Sequence, residues 1–300
     1  MNLQWRQPVR SCNFKMLNAL TIDVEDYFMV SAFADIVKFE DWPRYESRVE
    51  KNTLRILDLL DEHNVKATFF VLGWVAEHYP KLVLEIHNRG HEVACHGYSH
   101  RLVYDLSLKE FQKDTKKSKA LIEDTIGVGI GGYRAASYSI LQQSLWALDI
   151  LIEEGFVYDS SIFPIYHDRY GYHGFNRFPV NIIRGDRGKI TEVPLSTIRL
   201  FGKNIPIAGG GYLRLFPVKF VRWAIRSLNE KEAQPAVIYF HPWEIDPEQP
   251  RLNGSRRSTF RHYINMDKTF AKISHLLDTF RFGPIKEVVT EKLTESILLR

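Results

Sequence analysis

Two cysteines in 300 residues, Cys12 and Cys95, are too few and too far apart for a disulfide framework. They read as one surface thiol and one buried thiol in a reducing compartment. No run approaches the roughly 20 apolar residues of a membrane-spanning helix. The stretch Met1–Lys15 is polar and basic and lacks the apolar centre of a secretion signal. It reads as a disordered leader, 1–16, with Met16 as an alternative start, and the chain as cytoplasmic. Charge of one sign is scarce too. Lys and Arg number 40 against 36 Asp and Glu, a formal net charge of +4, which argues against a nucleic-acid partner. The basic run Lys113–Lys119 follows a helical pattern and reads as a solvated face. No Gly-x-Ser-x-Gly elbow supplies a serine nucleophile. Gly209-Gly210-Gly211 lacks the Lys-Ser/Thr of a phosphate loop and reads as a tight turn. Gly127-x-Gly129-x-x-Gly132 has dinucleotide-fingerprint spacing but follows a helix instead of a strand.

What is present is a repeated alternation of strand and helix over residues 17–160. Leu17–Asp23 reads as a strand that delivers Asp23-Val24-Glu25-Asp26 at its C-terminal end. Glu46–His63 carries a helical apolar stripe through Val49, Thr53, Ile56, Leu57, Leu59 and Leu60. Lys66–Leu72 is an apolar strand. Gly73–Asn88 is helical, with Pro80 opening a second helix. His91–Cys95 is a third strand. Ser107–Ile126 is a long amphipathic helix with a capping box, Ser107 and Glu110. Tyr133–Ala135 ends another strand, and Leu141–Glu154 is helical. This order predicts an α/β fold with a mainly parallel sheet and helices outside. In such folds the site gathers at the C-terminal ends of the strands. Beyond Ser160 the texture changes: Ile162–Gly211 reads as loops and hairpins, Phe216–Asn229 as helix, Ala236–Phe240 as a last buried strand, Arg251–Arg261 as a loop and Met266–Thr279 as helix. One domain is expected.

Four places carry chemistry. His96 and His100 stand four residues apart behind a strand, and two such imidazoles close on one divalent ion if the backbone turns between them. Alone, this spacing also fits two surface histidines; Gly97 stands where a zincin has its glutamate. Three acids at one strand end repel one another, and a metal beside a cation relieves that. One can ligate while another serves as general base. Arg134 is a lone guanidinium among small and apolar residues, suited to orient a carboxylate, and Asp23 is the one assigned to it. His241 ends the strand Val237–Phe240 and suits a general acid that protonates a leaving amine. Tyr138, Tyr166, Tyr212 and Trp243 add aromatic surface near these places.

The pieces Thr21-Ile-Asp-Val-Glu-Asp-Tyr, Thr68-Phe-Phe-Val-Leu-Gly, His96-Gly-Tyr-Ser-His, Gly132-Tyr-Arg-Ala-Ala-Ser-Tyr, Asp159-Ser-Ser-Ile-Phe-Pro and Tyr239-Phe-His-Pro-Trp-Glu together resemble the polysaccharide deacetylases. These are the family 4 carbohydrate esterases with a NodB-type domain. Within them the chain resembles the subgroup found with exopolysaccharide and exosortase gene clusters. The resemblance spans residues 17–285, with 162–285 including subgroup loops and a C-terminal extension, and leaves 286–300 as a tail. It implies a distorted (β/α) barrel, usually seven-stranded, and removal of N-acetyl groups from an N-acetylated glycan by a divalent metal, Zn2+. It implies Asp23 as general base, His96 and His100 as metal ligands, Arg134 orienting the base, His241 as general acid and Asp159 tuning His241. Ser137, Tyr138 and Trp243 are the implied substrate contacts, with a backbone N–H near Ser137 sharing the oxyanion. Two departures stand out. Val24 occupies the place of the family's second aspartate, so Glu25 or Asp26 must supply the metal carboxylate, and the spacing of related members favours Glu25. Ala136 replaces the usual proline. The first departure also resembles allantoinase-like amide hydrolases, and a glycan-binding pseudoenzyme is a further alternative. Peripheral association with the inner membrane face is compatible with this reading.

Overall fold

The computed structural model describes residues 15–167, 169–292 and 295–299. Cys12 and nearly all of the expected leader lie outside them. Twelve strands are present among the described residues: β1 (Leu17–Val24), β2 (Thr68–Val71), β3 (Glu92–Cys95), β4 (Gly132–Tyr133), β5 (Tyr158–Asp159), β6 (Val180–Ile183), β7 (Lys189–Glu192), β8 (Thr197–Leu200), β9 (Lys203–Pro206), β10 (Val237–Phe240), β11 (Arg281–Gly283) and β12 (Ser296–Leu298). Seven of them run parallel in the order β10-β1-β2-β3-β4-β5-β7. All eight residues of β1 are buried, as are all four of β2, β3 and β10. Such runs read as continuously apolar because a parallel sheet is covered on both faces.

The expected seven parallel strands are therefore there, but the barrel is not closed. Among the described residues no ladder joins β7 to β10. Instead, the Val237 N–H donates to Ser196 Oγ at 2.7 Å, and the Tyr239 N–H donates to Ala208 O at 2.8 Å. β6 pairs antiparallel with β7, β12 adds parallel to β6, and β11 pairs with the start of β1. The stretch expected as a tail thus contributes an edge strand.

The helices are α1 (Val49–Glu62), α2 (Gly73–His78), α3 (Pro80–Asn88), α4 (Leu108–Ile126), α5 (Trp146–Glu153), α6 (Gly210–Leu215), α7 (Val218–Lys231), α8 (Arg256–Tyr263), α9 (Thr269–Thr279) and α10 (Ile285–Lys292). α4 shows why the sequence reading works. Ser107 Oγ accepts from the Glu110 N–H, Glu110 Oε2 accepts from the Ser107 N–H at 2.9 Å, and Gly127 closes the helix at φ 74°. Its buried face, Phe111, Thr115, Ser118, Ile122 and Ile126, recurs every three or four residues. Burying Phe111 alone contributes about 1.5–3 kcal/mol.

Two expectations change. Arg251–Arg261 is not a loop throughout: Ser255 caps α8 by accepting from the Ser258 N–H at 3.1 Å. Gly209-Gly210-Gly211 is the entry to α6, where Gly209 lies so close to Tyr239 that a Cβ would meet the Tyr239 carbonyl oxygen at 1.7 Å.

Candidate active site

The C-terminal ends of β1, β3, β4 and β10 deliver Asp23 and Glu25, His96 and His100, Arg134, and His241 to one place. His96 is fixed from two sides. Its N–H donates to Val71 O at 2.9 Å, and its Nδ1 lies 2.8 Å from Arg134 O. A carbonyl can only accept, so Nδ1 carries the proton and Nε2 is left with its lone pair. Burial, the largest influence, holds this imidazole neutral by pushing it down to about 4. The chain then turns at Gly97, at φ 72°, and Asp114 of α4 holds the turn by accepting from the Tyr98 N–H at 2.8 Å. His100, itself at φ 54°, swings back beside His96, with ring centroids 5.4 Å apart.

Glu25 meets them. One ligand atom from each of Glu25, His96 and His100 lies within 4.8 Å of the others. His100 Nε2 is 2.8 Å from Glu25 Oε2, yet no hydrogen bond of acceptable geometry reaches that oxygen, and His100 Nδ1 is also buried without a partner. Two ligands each about 2.0 Å from one zinc stand roughly 3 Å apart. Two imidazoles and a carboxylate at this spacing fit a divalent cation. Burial pushes the Glu25 carboxyl up, but His100 and His241 together outweigh it and hold it well below the usual carboxylate range. Trp243 Nε1 donates to the other Glu25 oxygen at 3.2 Å.

Asp26 does not join this group. Its Oδ2 accepts from the Arg48 N–H at 2.7 Å, the Val49 N–H at 3.0 Å and Ser47 Oγ at 2.9 Å, and its Oδ1 accepts from the Tyr27 N–H at 2.9 Å. It supplies the acceptors that the first turn of α1 lacks, because no side chain at the helix's own N-cap does so. The expectation of Asp26 as a metal ligand is corrected on that geometry.

Asp23 is held by a fully buried Arg134. One guanidinium nitrogen donates to Asp23 Oδ1 and to Thr21 Oγ1, both at 2.7 Å, while the others reach Ser160. The guanidinium carbon sits 4.1 Å from the centroid of Phe70. The second Asp23 oxygen has Tyr138 Oη at 3.3 Å and His241 Nε2 at 3.8 Å.

His241 has a partner that the sequence reading missed. Its Nδ1 lies 2.6 Å from Glu244 Oε1, and Arg214 donates to Glu244 Oε2 at 2.6 Å. Its Nε2 faces Glu25 at 3.4 Å. Burial would lower this imidazole, but Glu25, Glu244 and Asp23 push it up to about 9. The sequence reading gave this tuning position to Asp159. Asp159 instead accepts from Ser161 Oγ at 2.5 Å and pairs with Glu192 across the β5–β7 register, so the correction is Glu244 for Asp159. The signal was present as a three-residue spacing, His241 to Glu244, that closes a cap around the end of β10.

A cavity of about 420 Å3 adjoins the cluster and is lined by Tyr239, Trp243 and Ser137 among others. Ser137 sits at φ 50° and Tyr138 at φ 55°, and Ser137 Oγ is 2.6 Å from Ser31 Oγ. Tyr212 also lines the cavity. Tyr166 does not, and is 87% exposed. The Tyr138 N–H already donates to Ala135 O at 3.1 Å.

Residues 36–149 match the family model described as polysaccharide deacetylase, and residues 160–290 match a domain of unknown function, DUF3473. A peptidoglycan-N-acetylglucosamine deacetylase of Bacillus cereus is 36% identical over 112 residues, 37% of this chain and 39% of that protein. The chain spans about two fifths of the length of such curated relatives. A Mycobacterium smegmatis structure carrying the name polysaccharide deacetylase superposes with TM-score 0.59 at 23% identity, over 99% of this chain and 96% of that one. An allantoinase superposes with TM-score 0.57 at 13% identity, over 94% and 90%. These two likenesses establish the α/β fold. No helix among the described residues is long and apolar enough to cross a membrane.

Proposed function

We propose that this chain is a metal-dependent hydrolase that removes N-acetyl groups from amino sugars of an oligo- or polysaccharide. The observation that carries the reading is the convergence of Asp23, Glu25, His96, His100 and His241 at neighbouring strand ends, in a chain whose residues 36–149 match the polysaccharide deacetylase model. Glu25, His96 and His100 would hold the divalent ion, with Zn2+ suiting two nitrogens and one oxygen. Bound there, it would polarise the acetyl carbonyl and acidify a water. Asp23, its Oδ1 tied to Arg134, keeps Oδ2 toward the cluster, where it would take the proton of an attacking water as the water oxygen adds to the carbonyl carbon. His241 has Nδ1 clasped by Glu244 and turns Nε2 inward, placed to give its proton to the sugar nitrogen as the C–N bond breaks. Acetate and the free amine leave. In this reading the catalytic unit runs from β1 to β11, because β1 is flanked by β10 on one side and by β2 and β11 on the other. The aromatic cavity beside Trp243 favours a glycan over a small cyclic amide.

The test is acetate release from N-acetylglucosamine oligomers and from peptidoglycan fragments by protein of measured metal content. Acetate is expected from at least one, and His96→Ala and His100→Ala are expected to lose both metal and turnover. A folded, metal-loaded protein that releases no acetate from the panel contradicts the reading.

A further inference from the structure

The carboxylate of Glu25 has a contact that hydrolysis itself does not call for. Either of its oxygens can accept, so nothing in the group alone decides which one meets an ion. Oε2 lies 2.8 Å from His100 Nε2 and accepts no hydrogen bond among the described residues. Oε1 faces two nitrogens: Trp243 Nε1, which donates at 3.2 Å, and His241 Nε2 at 3.4 Å. These two differ in kind. His241 gives its proton away in the reaction proposed above, and Nε2 then has no hydrogen for Oε1. An indole N–H is a donor only and does not titrate, so Trp243 keeps its hold in every state of the site.

Trp243 is itself fixed. The chain leaves β10 through a short 3-10 turn, Pro242–Ile245, in which Trp243 reaches back to Glu25 while Glu244 clasps His241. The Trp243 carbonyl accepts from Gln249 Nε2 at 2.9 Å. Its ring stacks on His262 at 4.1 Å and 12°, and on His241 at 5.1 Å and 18°. The Arg214 guanidinium carbon lies 5.0 Å from its centroid. His262 is held in turn by Gln249 Oε1, 2.9 Å from its Nε2. At 5% exposure, with two imidazoles and a guanidinium against it, the indole has little face left for a sugar ring.

We propose that Trp243 is a positioning residue of the metal centre: its indole N–H ties Oε1 of Glu25, so that Oε2 is the oxygen turned to the ion beside His96 and His100. The inference rests on the metal centre of the proposed reaction, and its test reads zinc instead of turnover. Trp243→Phe keeps a ring and loses the N–H. In competition with a chromophoric chelator it is expected to bind Zn2+ about 10–100-fold more weakly than the unaltered chain. It also shrinks a packed side chain, which lowers stability whatever the N–H does. Ile225→Ala, in the buried face of α7, supplies the comparison: it is expected to lose stability and keep its zinc affinity. In the unaltered chain, one of the six indole N–H resonances is expected to exchange slowly with solvent and to shift until one equivalent of Zn2+ is added. That readout decides even if Trp243→Phe fails to fold. Unchanged zinc affinity in folded Trp243→Phe, an equal loss in Ile225→Ala, or six indole signals indifferent to zinc overturns the proposal. His96→Ala losing zinc while folded Trp243→Phe keeps it would refute this inference and leave the metal centre standing. An unaltered chain that takes up no zinc would refute both.

Discussion

Asp23 and His241 would divide the proton work, and each is set by a partner rather than by its own chemistry. Arg134 fixes one Asp23 oxygen at 2.7 Å, and Glu244 fixes the His241 ring at 2.6 Å. Asp23→Asn keeps an oxygen for Arg134 but cannot take a proton. It is expected to retain metal and to lose about 10²–10⁴-fold in kcat. It also leaves a buried guanidinium without its counter-charge, so a loss of stability of up to about 3–5 kcal/mol should accompany it in urea titrations. Glu244→Gln should lower kcat by about 10–100-fold with KM little changed, because the ring is still held but its imidazolium is less stabilised. Asp159→Asn tests the alternative tuning residue; a kcat loss matching that of Glu244→Gln would return the role to Asp159.

The strand ends were legible because parallel strands place chemistry there, and the acid cluster, the histidine pair, Arg134 and His241 could each be read as a strand terminus. Their supports were not. Asp114 and Arg214 act across helices distant in sequence, and nothing local marks them. α8 escaped notice because its sequence, Arg-Arg-Ser-Thr-Phe-Arg-His-Tyr, buries only His262 and so carries no apolar stripe. The third acid shows how an element decides between neighbours. Asp26 serves the start of α1 and Glu25 faces the histidines, although the two are adjacent. Asp26→Ala is expected to cost about 2 kcal/mol while metal content is unchanged. Glu25→Gln is expected to lose metal instead. Elemental analysis paired with thermal unfolding separates them, and a metal loss confined to Asp26→Ala would reverse the assignment.

The chain as a whole buries a second acidic pair that the proposed reaction does not use. Burial pushes Asp159 up, and burial together with the Asp159 charge pushes Glu192 up still further. The fold therefore favours their protonated forms. An acid raised above its unfolded value, about 4, contributes stability below that pH and loses it as pH rises toward neutral. Urea midpoints across pH 4 to 8 should thus fall less for Glu192→Gln than for the unaltered chain; parallel curves would mean that the pair holds no excess proton. The open sheet, with β12 at its edge and β10 tied to the opposite side by only a few bonds, still brings four strand ends together, so closure is not what builds the site.

The link between the cation and the chemistry is tested most directly by stripping the protein of metal and titrating Zn2+ back while acetate release from an accepted N-acetylated oligosaccharide is followed. The rate should rise in proportion to occupancy and stop at one ion per chain, and should stay near background for His100→Ala at every Zn2+ level. Acetate released equally by the stripped protein, or a rate indifferent to loss of His100, would contradict the metal centre of Glu25, His96 and His100 as the seat of the reaction.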